Sequence, residues 1–156
     1  MDGRGMEKQQ PVWFHNATVY TPGGVLHGGR LLVRGMSQFL ASHGTRAFLA
    51  TTDTDERRKL AGVVQGIVRA AERGTAGAEC AGFHLEGPFL NPVRCGAQNP
   101  ADMRPISKDE LDEYLALAGD LFRLITLAPE YEGNAEYIDY LVGKGVTVSI
   151  GHSDAE

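Results

Sequence analysis

Side chains that could bind a metal lie at the ends of two predicted strands. His84 and Glu86 are two residues apart in one strand-like segment, and His152 follows another. Because side chains alternate in direction along a strand, His84 and Glu86 point to the same face. A carboxylate together with imidazoles suits a divalent metal such as zinc. The residues alone leave an alternative open, in which His84 is a hydrogen-bonded core histidine and Glu86 an ordinary loop acid.

The elements that must position these side chains alternate from residue 36 onward. Apolar runs predict four strands, at 47–50, 81–85, 121–127 and 146–150. Periodic segments predict four helices, at 36–43, 54–73, 107–118 and 134–144. Thr54 is the predicted N-cap of the second helix, and Ser107 with Glu110 forms a predicted capping box for the third. This alternation predicts a parallel sheet covered by helices, with ligands bound at the carboxyl ends of the strands.

Two features of this pattern bear on architecture and function. The loop at 86–105 is long and rich in Gly, Pro and Asn, which is typical of a functional segment. Four strands could form a complete small open sheet or half of an eight-stranded barrel. Ahead of them, predicted strands at 12–21 and 31–34 form a hairpin or small β unit, and residues 1–11 are predicted to be a flexible leader.

Composition excludes several classes of protein. The chain has 156 residues, of which 42% are hydrophobic and 22% charged, so we expect one globular domain rather than disorder. A net charge of −5 argues against a nucleic-acid partner, and the absence of a long apolar run argues against a membrane partner. Cys80 and Cys95 form neither a zinc ribbon nor a disulfide framework, and a cytoplasmic location is predicted.

Three longer motifs carry a resemblance to a known family. They are GFHLEGPFLNPVRCGAQNP at Gly82–Pro100, ITLAPE at Ile125–Glu130 and VSIGHSDAE at Val148–Glu156. Together they resemble the N-acetylglucosamine-6-phosphate deacetylases, members of the metal-dependent amidohydrolase superfamily. The similarity extends over about residues 12–156 and follows the order of the family's motifs.

The resemblance implies an α/β fold, a (β/α)8 TIM barrel joined to a small β-sandwich. Residues 12–35 would be a remnant of the sandwich, and residues 36–156 a partial barrel of about strands two to five. The implied reaction is hydrolysis of the acetamide of N-acetylglucosamine 6-phosphate, a phosphorylated amino sugar. The implied cofactor is a divalent metal, with zinc as the first choice. The resemblance implies that Glu86 and His152 are metal ligands and that Ala97, Gln98 and Asn99 bind the substrate. His84 is on the same strand face as Glu86, and we expect it to support the site without binding the metal.

Three departures from the family pattern qualify that expectation. The family's second metal-binding histidine and its general-base aspartate would lie beyond Glu156. At Gly35–Met36 a strand–helix step is missing, so the chain resembles a truncated and internally deleted enzyme. Gln98 stands where the family has a histidine that polarises the substrate carbonyl; glutamine donates a hydrogen bond but carries no proton charge.

Two readings of the function follow. In the first, the chain is a deacetylase by family, although we expect this polypeptide alone to be inactive or impaired. In the alternative, it is a non-catalytic remnant that at most binds metal or associates with itself. Open sheet edges and apolar inner faces of the strands further predict a homo-oligomer.

Overall fold

The computed structural model describes residues 13–21 and 24–156, with side chains described from Gly35 onward. It contains a two-stranded antiparallel sheet and a four-stranded parallel sheet. The strands are β1 Trp13–Thr21, β2 Gly24–Leu32, β3 Ala47–Thr51, β4 Glu79–Glu86, β5 Phe122–Leu127 and β6 Thr147–Ile150. The α-helices are α1 Val33–Ser42, α2 Arg57–Glu72, α3 Lys108–Ala118 and α4 Ile138–Gly143.

The parallel sheet confirms the predicted α/β architecture. Its strands lie side by side in chain order, β3-β4-β5-β6, and a helical segment connects each strand to the next. One apolar cluster joins Leu60 and Val64 of α2, Leu111 of α3 and Leu141 of α4 to the sheet residues Phe83, Leu85 and Ile125. These three helices therefore cover one face of the sheet. Helices on one face are typical of a barrel wall, whereas a doubly wound sheet carries them on both faces.

The face away from those helices is more polar than predicted. Thr51, His84 and Thr126 lie across it on three neighbouring strands and are joined by hydrogen bonds. The expectation of apolar inner faces is therefore wrong at its centre. The reason is alternation: in β4 the apolar Phe83 and Leu85 pack under the helices, which leaves His84 and Glu86 for the opposite face.

Several predicted boundaries also needed correction. The second strand was predicted at 31–34, but β2 begins at Gly24 and ends at Leu32, because Gly29 pairs with Ala17 of β1 and the strand continues through it. The chain then enters α1 directly at Val33. The predicted leader at 1–11 lies outside the described residues. The two-stranded sheet agrees with a hairpin, and its origin in a β-sandwich stays a prediction.

Neither predicted side-chain cap forms. α2 begins only at Arg57, because the Thr54 hydroxyl donates to the Gln98 side chain and does not cap the helix. Ser107 does occupy the N-cap position of α3 but makes no side-chain cap. The Glu110 carboxylate is buried and binds Arg104 and the Tyr114 hydroxyl, so it is not available for a capping box.

Candidate metal and substrate site

Glu86 and His152 meet at the carboxyl ends of two strands of the parallel sheet. Glu86 is the last residue of β4, and His152 follows β6 by two residues. The His152 Nε2 atom lies 3.1 Å from Glu86 Oε1, although 66 residues separate them in sequence. The side chains are 24% and 33% exposed, so both can be reached from solvent. The structure thus brings together the two residues that the sequence singled out as metal ligands.

The orientation of the His152 ring is fixed by the loop that follows β4. Its Nδ1 atom lies 2.9 Å from the backbone carbonyl of Arg94, which can only accept, so Nδ1 carries the proton. The Asn91 N–H donates to the His152 carbonyl and holds the backbone. The backbone of His152 itself is left-handed, with φ at 49°. In the neutral ring, Nε2 therefore presents its lone pair towards Glu86.

The donor set of this pair fits a divalent cation. A lone pair on Nε2 and a carboxylate oxygen repel each other at 3.1 Å unless a proton or a cation lies between them. Two ligands that bind one tetrahedral zinc at about 2.0–2.1 Å are about 3.3 Å apart, close to the observed separation. Histidines that bind zinc also usually donate their other ring N–H to a carbonyl or carboxylate, as Nδ1 of His152 does here. Within the described side chains, no group of three or more His, Cys, Asp or Glu residues could hold an ion.

His84 lies on the same sheet face as Glu86, as its spacing predicted. Its ring contacts two hydroxyls, Thr126 Oγ1 at 2.7 Å from Nε2 and Thr51 Oγ1 at 3.3 Å from Nδ1. Burial lowers the pKa of His84, and the charge of Glu86 opposes that shift. Both ring nitrogens are thus engaged with neighbouring strands. This arrangement suits a residue that supports the sheet beneath Glu86; that role stays a prediction.

The loop after β4 places its predicted substrate residues in different settings. Gln98 is half-buried, and its side-chain oxygen accepts hydrogen bonds from Thr54. Ala97 is exposed. Its neighbour Gly96 lies close to the His152 ring, since a Cβ atom built on Gly96 would be 3.3 Å from it. Asn99 is exposed and is occupied in its own turn, accepting from Ala101 N and donating to Asp102. Of these three residues, only Gln98 has a side chain that contacts the loop after β3.

Glu130, which follows β5, ties together the loops on either side of it. Its carboxylate accepts hydrogen bonds from Asn91 Nδ2, Ser153 Oγ and the Asp154 N–H, at 2.7–3.0 Å. Partial burial raises the pKa of Glu130, but these hydrogen bonds outweigh that effect and lower it to about 2. Since Ser153 and Asp154 directly follow His152, this carboxylate anchors the segment that carries the proposed ligand.

Asp53 adds a further carboxyl group to this end of the sheet. Loss of contact with water raises its pKa, a hydrogen bond from the Thr54 N–H lowers it, and the charge of Glu86 raises it again. Sequence reasoning missed the positions of Asp53 and Thr54, and it did not anticipate the Arg94 carbonyl. The available signal was that TTDTDE directly follows a predicted strand, which is where ligand-facing residues are found in a parallel sheet.

Comparison with known proteins extends the resemblance. No protein-family model matches the chain. The N-acetylglucosamine-6-phosphate deacetylase of Bacillus subtilis is 39% identical in an alignment 127 residues long, which covers 78% of this chain and 31% of that protein. The N-acetylgalactosamine-6-phosphate deacetylase of Escherichia coli O157:H7 is 35% identical over 115 residues, 74% of this chain and 30% of that protein.

A solved structure agrees with these relatives. A mutant N-acetyl-D-glucosamine-6-phosphate deacetylase from Mycobacterium smegmatis, in complex with N-acetyl-D-glucosamine-6-phosphate, matches with a TM-score of 0.68 and 34% identity. The match covers 72% of this chain and 29% of that one. The chain therefore spans about 30% of the length of its relatives. By sequence and by structure, it belongs to the N-acetylglucosamine-6-phosphate deacetylase family.

Proposed function

We propose that the chain supplies part of the active site of a metal-dependent amidohydrolase. The reaction is hydrolysis of the acetamide of N-acetylglucosamine 6-phosphate, which gives glucosamine 6-phosphate and acetate. The observation that carries this proposal is the contact of Glu86 with His152 at the carboxyl ends of the strands, within a segment similar to known deacetylases. The M. smegmatis relative solved with N-acetyl-D-glucosamine-6-phosphate supports the choice of substrate.

Glu86 and His152 would hold a divalent metal, for which zinc is the first candidate. When bound, such an ion polarises the acyl carbonyl and lowers the pKa of a bound water. The fixed Nδ1–H of His152 keeps Nε2 free as a ligand, and the family resemblance supports metal dependence. His84 would support Glu86 from the same sheet face through its contacts with Thr51 and Thr126.

The loop after β4 would bind the substrate. Gln98 would donate a hydrogen bond from Nε2 to the acetamide oxygen, which favours the build-up of negative charge there. Ala97 and Asn99 would flank the sugar, chiefly through backbone groups, because Ala97 lacks a polar side chain and the Asn99 side chain is engaged in its own turn. Because one relative acts on an N-acetylgalactosamine 6-phosphate, the orientation of the sugar hydroxyls is a separate question from the acetamide chemistry.

The architecture we propose follows the family. Residues 36–156 would correspond to about strands two to five of a (β/α)8 barrel, and residues 12–35 to part of its small β-sandwich. The four parallel strands in order and the helices on one face support the barrel assignment.

None of the helices in the described part of the chain is long and apolar enough to cross a membrane. A cytoplasmic location is supported by Cys80 and Cys95, which are both free thiols.

We also expect self-association. β3 and β6 are the outer strands of the four-stranded sheet, and such edges invite pairing with another chain. Ile150 on β6 is 64% exposed, which adds apolar surface to that edge. Size-exclusion chromatography with light scattering tests this expectation. A single sharp peak with the mass of a monomer, near 16.8 kDa, together with a cooperative thermal melt, would contradict it.

The proposed reaction is tested in a chimera. Residues 36–156 replace the matching segment of the Bacillus subtilis relative, and acetate release from N-acetylglucosamine 6-phosphate is measured with and without added zinc. We expect zinc-dependent acetate release that is lost in Glu86→Gln and in His152→Asn, with His43→Asn, at the exposed residue directly after α1, as the histidine control. A folded chimera that binds zinc but releases no acetate would favour the non-catalytic alternative.

A further inference from the structure

Thr54 makes two hydrogen bonds to the side-chain oxygen of Gln98. The backbone N–H of Thr54 lies 3.0 Å from Gln98 Oε1, and the Thr54 hydroxyl donates to the same oxygen. Thr54 is only 7% exposed, so its hydroxyl faces protein rather than water. The two residues are 44 positions apart in sequence and belong to the loops that follow β3 and β4.

This contact decides which way the Gln98 amide points. A backbone N–H can only donate, so the Gln98 atom that faces it must be the oxygen. The orientation of the amide therefore follows from the hydrogen bond itself. Nε2 is left on the opposite side with two N–H groups. Among the residues that the structure describes, Nε2 has no hydrogen-bond partner, so these donors remain free for a ligand.

The contact lies directly beside the proposed metal ligand. Gly87 follows Glu86, and a Cβ atom built on Gly87 would come within 2.0 Å of Thr54 Oγ1 and 2.7 Å of Gln98 Oε1. The backbone of Gly87 has φ at +81°, which also favours glycine. A glycine next to Glu86 is thus what allows Thr54 and Gln98 to meet here. The Gln98 side chain therefore lies next to the residue that follows Glu86.

We infer that Thr54 is a positioning residue that turns the Gln98 amide so that Nε2 can donate to the acyl oxygen of a ligand at Glu86; this inference rests on the proposed function. The ligand class is an N-acyl group, whose oxygen accepts a hydrogen bond. A free amine in the same place lacks that oxygen and gains nothing from Nε2. Thr54 thereby favours the acylated sugar over its deacylated counterpart without touching either.

The first test is a nuclear magnetic resonance measurement that needs no ligand. In the intact isotope-labelled chain, we expect a through-hydrogen-bond scalar coupling between the Thr54 amide nitrogen and the Gln98 side-chain carbonyl carbon. Thr54→Val preserves the branched shape but removes the hydroxyl, so the coupling should weaken. Thr54→Ser restores a hydroxyl and should restore it. The absence of any coupling in the unmodified chain overturns the inference.

The second test compares two sugars on the zinc-supplemented chain. N-acetylglucosamine 6-phosphate carries the acyl oxygen, and glucosamine 6-phosphate does not. We expect the ratio of their affinities to fall about 2- to 10-fold in Thr54→Val, the value of one hydrogen bond, and to be retained in Thr54→Ser. Gln98→Glu keeps an acceptor for Thr54 but has no Nε2 donor, so preference for the acylated sugar should disappear.

The two tests separate the possible failures. An unchanged affinity ratio in Thr54→Val overturns the inference, because a merely structural role for Thr54 would affect both sugars equally. If the unmodified chain binds neither sugar, the proposed function fails for this chain, while the scalar coupling still decides whether Thr54 orients Gln98. A coupling together with a ratio that falls in Thr54→Val and recovers in Thr54→Ser supports the whole inference.

Discussion

Asn134 lies beneath the loops of the candidate site, and its replacement by alanine should destabilise the chain strongly. The side chain is fully buried and makes three hydrogen bonds to backbone groups. Oδ1 accepts from the Ile106 N–H at 2.7 Å, and Nδ2 donates to the carbonyls of Phe89 and Ala128 at 3.1 and 3.0 Å. Asn134 thus connects the loop after β4 to the segment that follows β5 and precedes Glu130.

The expected loss of stability depends on which hydrogen-bond partners each backbone group keeps in the variant. The Phe89 carbonyl still accepts from the Ala128 N–H, and the Ala128 carbonyl still accepts from the Tyr131 N–H. Only the Ile106 N–H loses the single partner it has among the described residues. One orphaned buried donor costs about 1–3 kcal/mol, and weakening the other two bonds adds roughly 1 kcal/mol. We therefore expect Asn134→Ala to lower the free energy of unfolding by about 2–4 kcal/mol.

Urea denaturation of the intact chain measures this change, and amide hydrogen exchange at Ile106 reports it locally. Gln65→Ala, on the exposed side of α2, is the matched control and should change stability by less than about 0.5 kcal/mol. Exchange at Ile106 should accelerate more than exchange in the core strands. A loss below about 1 kcal/mol with unchanged exchange at Ile106 would refute the reasoning, because the orphaned donor alone accounts for that much.

Three further predictions concern charges and the substrate loop. The pKa of Glu130, lowered from 4.5 to about 2, gives stability that is present above pH 4.5 and lost as the pH falls towards 2, so Glu130→Gln should show a weaker acid dependence in thermal melts. Arg104→Met should cost about 3 kcal/mol in urea denaturation, because it leaves the buried Glu110 carboxylate without its positively charged partner. Gln98→His should raise acetate release in the chimera, since a protonatable ring polarises the carbonyl more strongly.

A different result would contradict each of these three predictions. An unchanged acid dependence in Glu130→Gln would mean that the hydrogen bonds to Ser153 and Asp154 do not form in solution. For Arg104, the double variant Arg104→Met with Glu110→Gln should recover part of the loss, and no recovery would locate the defect elsewhere. No gain, or a loss, in Gln98→His would show that Gln98 is not the residue that polarises the carbonyl.

The elements and the order of the sheet could be predicted from sequence because local signals were strong. Apolar runs such as that at 146–150 were bounded by glycine or proline, and the structure places a strand at Thr147–Ile150. Prediction was poorer where a distant contact overrode a local signal. Thr54 is a good helix cap by type, but a distant partner, Gln98, takes its hydroxyl, so α2 begins three residues later.

The candidate site was predictable in its residue types but not in its supporting contacts. Glu86 and His152 could be paired because parallel strands bring their carboxyl ends to one edge. The Arg94 carbonyl that fixes His152 is a backbone group, which no residue type reveals. The same holds for the free side of the Gln98 amide, which depends on a contact across 44 residues. Contacts that depend on backbone groups therefore could not be predicted from the sequence and required the structure.

The central claim is that Glu86 and His152 form a metal-binding pair, and calorimetric titration of the intact chain with zinc tests it most directly. We expect one ion per chain, an affinity reduced about tenfold or more in both Glu86→Gln and His152→Asn, and no change in the control His43→Asn. Zinc binding that is equally strong in all four proteins, or no binding by the unmodified chain, would contradict the account.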